Sequence, residues 1–154
     1  NELDKIESFL ISKKSVDTEE ILKLTNLSEN ISFNELIDNA LAKNQKKTLY
    51  ILNENNFAPE DSVLILRLFS GRLKRLHKIQ SQVKIKNSIE DAISGYRPPI
   101  FWKDKDILKK QIKIWSYEQI EDLIHKINNV ELLIKKNPSI STNIVTNFLL
   151  EQSS

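Results

Sequence analysis

PEDSVLILRLFSGRLKRLHKIQSQVK, residues Pro59 to Lys84, decides the fold class of this chain. Proline opens it where a first-turn residue has no partner for its missing N–H, and Glu60 and Asp61 stand against the positive end of a helix. Leu66, Phe69, Leu73, Leu76 and Val83 then trace a heptad-like seam, interrupted by Gln80, while Ile65, Leu68 and Ile79 widen the apolar face. That spacing predicts a helix from Pro59 to near Lys84, roughly 39 Å long at 1.5 Å per residue. So wide an apolar stripe needs several neighbours, and the rest of the chain must supply them.

Working outward, the neighbours read as further helices. Ser32-Phe-Asn-Glu35 is a capping box that predicts a helix from about Phe33 to Lys43, burying Phe33, Leu36, Ile37, Ala40 and Leu41. After a polar break at Asn44 to Lys46, Thr48, Leu49, Ile51 and Leu52 mark another helix. Ser88-Ile-Glu-Asp91 starts a short one that ends at Gly95, where a left-handed C-cap is expected. A helix beginning at Asp104 or Asp106 carries Ile107, Leu108, Ile112 and Trp115. A second capping box, Ser116-Tyr-Glu-Gln119, opens a helix with Ile120, Leu123, Ile124, Ile127, Val130, Leu133 and Ile134, stopped by Asn137-Pro138. A last helix from Ser141 carries Ile144, Val145, Phe148 and Leu149. No segment alternates with period two, so the fold class is all-α, a helical bundle of roughly six to nine helices.

Upstream, Leu3, Ile6 and Leu10 have helical spacing, and Asp17-Thr-Glu-Glu caps a second short helix through Ile21, Leu22 and Leu24. These elements share few apolar residues and read as the end of a neighbouring domain, residues 1–31, before the bundle of residues 32–154. The chain opens on Asn1 with helical register already running, which suggests a piece of a longer protein.

Composition narrows the chemistry. The 154 residues are 40% hydrophobic and 29% charged, an ordinary globular balance. There is no cysteine, which excludes disulfides, thiolate metal sites and cysteine nucleophiles, and His77 and His125 are too far apart in sequence to suggest a metal pair. With 2 glycines, no glycine-rich phosphate loop can be built, and no GxSxG or HExxH motif occurs. Asp104, Asp106, Glu118, Glu121 and Asp122 fall at helix starts, where capping accounts for them. No catalytic residue, cofactor or metal site is therefore expected. His125 reads as a core or boundary residue and His77 as solvated. The apolar runs are too short for a bilayer and no signal layout opens the chain, so a cytoplasmic protein without membrane attachment is expected.

Two features remain for binding. Between Asp61 and Glu90 there is no acid, while Arg67, Arg72, Lys74, Arg75 and Lys78 accumulate, followed by Lys84 and Lys86. The plain reading is a solvated face, and the functional one is contact with DNA phosphates through the basic helix 67–86. Gly71 within this run costs about 1 kcal/mol relative to alanine, which close approach of another backbone would offset; local flexibility is the plain reading. The other feature is GYRPPIFWK, Gly95 to Lys103. Arg97-Pro98-Pro99 forces a stiff, extended connection, leaving Ile100, Phe101 and Trp102 at a corner. They are expected to plug the end of the bundle; the alternative is a partner surface formed by Arg97, Phe101 and Trp102.

The order of these features resembles the C-terminal portion of the delta subunit of the bacterial DNA polymerase III clamp loader. The passages that carry the resemblance are NELDKI (Asn1 to Ile6), FNELIDNALAKNQKKTLYIL (Phe33 to Leu52), LRLFSGRLKRLHKI (Leu66 to Ile79), RPPIFWKDKDILKKQIKIWS (Arg97 to Ser116) and VELLIKK (Val130 to Lys136). Pro-Pro, aromatics, a basic helix and Trp-Ser form the most specific run. The resemblance implies that residues 1–31 end a small helical lid and that 32–154 form the collar, the oligomerisation domain after an AAA+-like module. Such a collar holds related clamp-loader subunits in a pentameric ring, while the N-terminal domain, which lies outside these residues, binds and opens the sliding clamp. The implied role is in DNA replication, as a non-ATPase accessory of a holoenzyme whose overall activity is nucleotidyl transfer. It implies no catalytic residue here.

Overall fold

A computed structural model describes residues 32–154, and the expected short helices of residues 1–31 lie outside them. The chain divides into two compact units, Asn1–Phe33 and Asn34–Ser154. The described residues hold seven α-helices and no strand. They are α1 (32–41), α2 (Gln45–Glu54), α3 (Asp61–Lys86), α4 (Ile89–Gly95), α5 (Lys105–Ile114), α6 (Tyr117–Lys136) and α7 (Ser141–Ser153), with 3-10 turns at Trp102–Asp104 and Pro138–Ile140.

α3 is the central element, packed against α4, α5, α6 and α7, while α7 also receives α2 and α6. Its seam is buried as the periodicity requires: Ile65, Leu66, Phe69, Leu73, Leu76 and Ile79 are all closed to solvent. Phe69 meets Phe148 of α7 edge to face, ring centroids 5.2 Å apart. Gln80, which breaks the apolar seam, is also buried. Its amide donates to the carbonyls of Ile112 at 2.7 Å and Trp115 at 2.6 Å, partners that the C-terminal end of α5 could not find within its own helix.

Helix ends follow local chemistry, with instructive exceptions. Ser116 and Gln119 form the expected reciprocal capping box of α6, and the Ser88 hydroxyl accepts from Asp91 N–H at the start of α4. Asn44 does the same for α2 through Lys47 N–H. Ser32 is helical and is the first described residue of α1. Pro59 sits in the turn before α3, and Asp61 reaches back to accept from Ala58 N–H at 2.9 Å. The left-handed positions are Lys43 and Asn87, with φ of 57° and 54°; Gly95 does not take one. A Cβ at Gly95 would stand 2.6 Å from the Nζ of Lys86, the end of an exposed, flexible side chain that can move aside.

Three burial expectations are overturned. Leu133 and His125 point to solvent, since the buried line of α6 runs through Ile120, Leu123, Ile127 and Ile134. Gly71 meets nothing within 4 Å of a Cβ, so no backbone approaches it. And Phe101 and Trp102 do not plug the bundle: they are 57% and 69% exposed. The tryptophan that enters the core is Trp115, at the other end of α5, whose indole N–H donates to Leu41 O at 2.6 Å.

Candidate interaction surface

The connector between α4 and α5 begins where α4 stops, with Tyr96 N–H bonded to Ile93 O. Pro98 and Pro99 cannot extend the helix, and the Arg97–Pro98 bond is cis. Arg97 turns back, its Nη1 donating to Ser94 O at 3.0 Å and Tyr96 O at 3.1 Å, so the guanidinium braces the loop it belongs to. Ile100 is half-buried and anchors the far side. Phe101 and Trp102 then project together, ring centroids 5.9 Å apart, with Lys103 Nζ 5.5 Å from the Trp102 ring. The 3-10 turn Trp102–Asp104 leads straight into α5, so the pair stands on a short, doubly anchored arm. Arg97, Phe101 and Trp102 are thus all exposed on this connector, with the two rings side by side and the guanidinium turned back toward α4.

The basic helix divides by face. Arg67, Lys74 and Lys78 project to solvent with no ion-pair partner among the described residues. Arg72 and Arg75 are turned toward the bundle. Arg72 Nε lies 3.0 Å from Asp38 Oδ1, at the buried end of α1. Burial pushes the Asp38 carboxyl above the usual aspartate range, against the pull of Arg72 and Arg75. Burial likewise lowers Arg75, and the like charge of Arg72 adds to that, while Asp38, Asp104 and Tyr96 oppose it. Arg72 is therefore paired internally, Arg75 is half-buried with no ion pair among the described residues, and the outward cationic stripe is Arg67, Lys74 and Lys78.

Further out along α3, His77 stacks on Tyr117 with centroids 4.3 Å apart and lies 3.3 Å from Glu121, rather than standing in solvent. Lys84 Nζ sits 4.4 Å from the centroid of the same Tyr117 ring and 3.3 Å from Glu118. The Glu118 carboxyl is held below its usual range by its own backbone N–H and by Lys84. These contacts join α3 to α6.

Sequence reasoning missed other exposed apolar side chains: Leu49 and Tyr50 on α2, and Leu132 and Ile140 near the α6–α7 turn. Their one signal was position, since each lies beside, not on, the helical line that is buried. No group of three or more His, Cys, Asp and Glu among the described residues could hold a metal, and none of their helices is long and apolar enough to cross a membrane. No family model, curated protein or solved structure matches this chain.

Proposed function

We propose that residues 32–154 act as an assembly module, a collar of the clamp-loader delta kind that holds its subunit in a hetero-oligomeric ring for loading the sliding clamp onto primed DNA. The observation that carries this reading is the exposed Phe101–Trp102 pair on a stiff arm, beside a core that is complete without it. Burying each ring against a partner contributes about 1.5–3 kcal/mol, and Arg97 and Lys103 supply the polar rim that interfaces use. The same residues belong to the run Arg97 to Ser116 on which the delta-subunit resemblance chiefly rests. The mechanism is positional. The bundle fixes a point in the ring so that motions of neighbouring ATPase subunits reach the clamp-opening domain, and it performs no chemistry itself. A DNA-binding role through α3 would rest on Arg67, Lys74 and Lys78, because Arg72 is paired with Asp38 and Arg75 is half-buried.

Light scattering after size-exclusion chromatography, on the chain mixed with the collar of a clamp-loader ATPase subunit from the same organism, tests the proposal. A stable mixed oligomer is expected, lost in the Phe101→Ala, Trp102→Ala double variant with its helical circular dichroism unchanged. No mixed species with the parent chain, or an undiminished one with the double variant, would count against it.

A further inference from the structure

The solvent face of α3 carries a second seam. Leu64, Arg67, Gly71, Lys74, Lys78, Ser81 and Ile85 fall on one line of alternating three- and four-residue steps, the rhythm by which one helix presents itself to another. The line spans roughly 32 Å of helix. Its two ends are apolar and open to solvent, Leu64 at 38% and Ile85 at 75% exposure. Its middle is cationic, and Arg67, Lys74 and Lys78 have no ion-pair partner among the described residues.

Gly71 lies at the centre of this line. It costs a helix interior about 1 kcal/mol relative to alanine, yet nothing in the bundle requires it. A Cβ there meets no atom within 4 Å, and its φ is not positive. The gap it leaves opens outward, as a notch in the wall of the helix between three cations.

We propose that this seam receives a helix from a different protein, acidic along its middle and apolar at both ends, which lies along α3 and approaches its backbone most closely at Gly71. Heptad spacing fits a helical partner, the three cations fit carboxylates, and the notch lets the two helix axes come together as a side chain would not. A second copy of this chain would set three cations against three. A nucleic-acid strand would use the cations but has no use for Leu64, Ile85 or the notch. Phe101 and Trp102 take no part in the seam, so either interaction can be lost with the other intact.

The test is fluorescence anisotropy of a labelled helical peptide of about 21 residues, with Leu in its end heptads and Glu at the central seam positions, titrated with the full chain. It is expected to bind at least about tenfold more tightly than a scrambled peptide of the same composition. The Arg67→Glu, Lys74→Glu, Lys78→Glu triple variant is expected to lose that margin. Gly71→Leu is expected to weaken binding by about fivefold or more while raising the thermal midpoint, because leucine suits a helix interior better than glycine. Gly71→Ala should weaken binding to a smaller degree and raise the thermal midpoint at least as much, since alanine is the better helix former. Equal affinity for the two peptides, or full affinity in Gly71→Leu, overturns the proposal. Tight binding of an oligothymidylate of about 30 nucleotides that is lost in the triple variant and indifferent to Gly71→Leu would replace the helix with a phosphate backbone. Self-association by sedimentation that Ile85→Glu abolishes would replace it with a second copy.

Discussion

Trp102 and Trp115 stand at opposite ends of one short segment, and they have opposite fates. Trp115 is 8% exposed, hydrogen-bonded through its indole to Leu41 O, and covered by Lys43, whose Nζ lies 4.6 Å from the ring. Trp102 is 69% exposed, and its ring contacts are with its sequence neighbours Phe101 and Lys103. Hydrophobicity is the same in both; the surroundings differ. Trp115 follows the last turn of α5, where α1 also ends, and buried helix ends leave carbonyls in want of donors. Its N–H meets one such need. Trp102 leads into α5 on the side where the chain arrives from two prolines, and its indole N–H makes no hydrogen bond within the described residues. A large aromatic is drawn in where it can satisfy a polar group as well as fill space.

The largest expected effect breaks this pair apart. Trp115→Ala should cost about 3–5 kcal/mol of stability in urea unfolding, the range for removing a large aromatic from a core. Trp102→Ala should stay within about 0.5 kcal/mol, as exposed substitutions do. Comparable losses at both positions would mean that Trp102 belongs to the core and would remove the physical basis for an interface at the connector.

A smaller effect sharpens the account of why Trp115 is inside. Gln80 donates to Ile112 O and to Trp115 O, Gln111 donates to Asp38 O at 2.9 Å, and Lys43 donates to Gln152 O and Ser154 O at the end of α7. Three helix C-termini converge here and are closed by side-chain donors. Gln80→Leu keeps the apolar volume but leaves two carbonyls unpaired, and should cost about 1–3 kcal/mol, while Gln82→Leu on the exposed side should be close to neutral. A neutral Gln80→Leu would show that water reaches this end of α5 and that Trp115 is held by packing alone.

These residues also mark how far the sequence could be read. Helix existence was legible because apolar seams run along α3, α6 and α7, with a capping signal that agrees at the start of α6. The roles of Gln80 and Gln111 were not legible, because a glutamine on an apolar line is explained only by the carbonyl it faces, and that carbonyl belongs to another helix. The same holds for Asp38, Arg72 and Arg75. In sequence the arginines are part of one basic run, and only the placement of α1 against α3 separates them from Arg67, Lys74 and Lys78. At the connector, Pro98-Pro99 announced a stiff corner but not which way its aromatics would face. Two readings stood open there, and the exposure of Phe101 and Trp102 excludes the plug.

The smallest expected effect lies at the far side of the same polar junction. Asp38 is buried, and desolvation raises its carboxyl above the usual range, with Arg72 and Arg75 pulling the other way. A raised pKa means that the folded chain holds this proton more tightly than the unfolded one. Its contribution to stability is thus greatest below the unfolded aspartate value and declines as pH rises through the folded value. Asp38→Asn has no such proton. The stability difference between the parent chain and Asp38→Asn, measured by urea unfolding at successive pH values, should therefore shift against the parent as pH climbs through the acidic range toward neutrality. The shift is small because two arginines offset much of the burial penalty. A difference that moved in the parent's favour over that interval would mean that the arginines outweigh desolvation, and Arg72 and Arg75 would then be held to Asp38 more firmly than the outward cations are held to anything in the described chain.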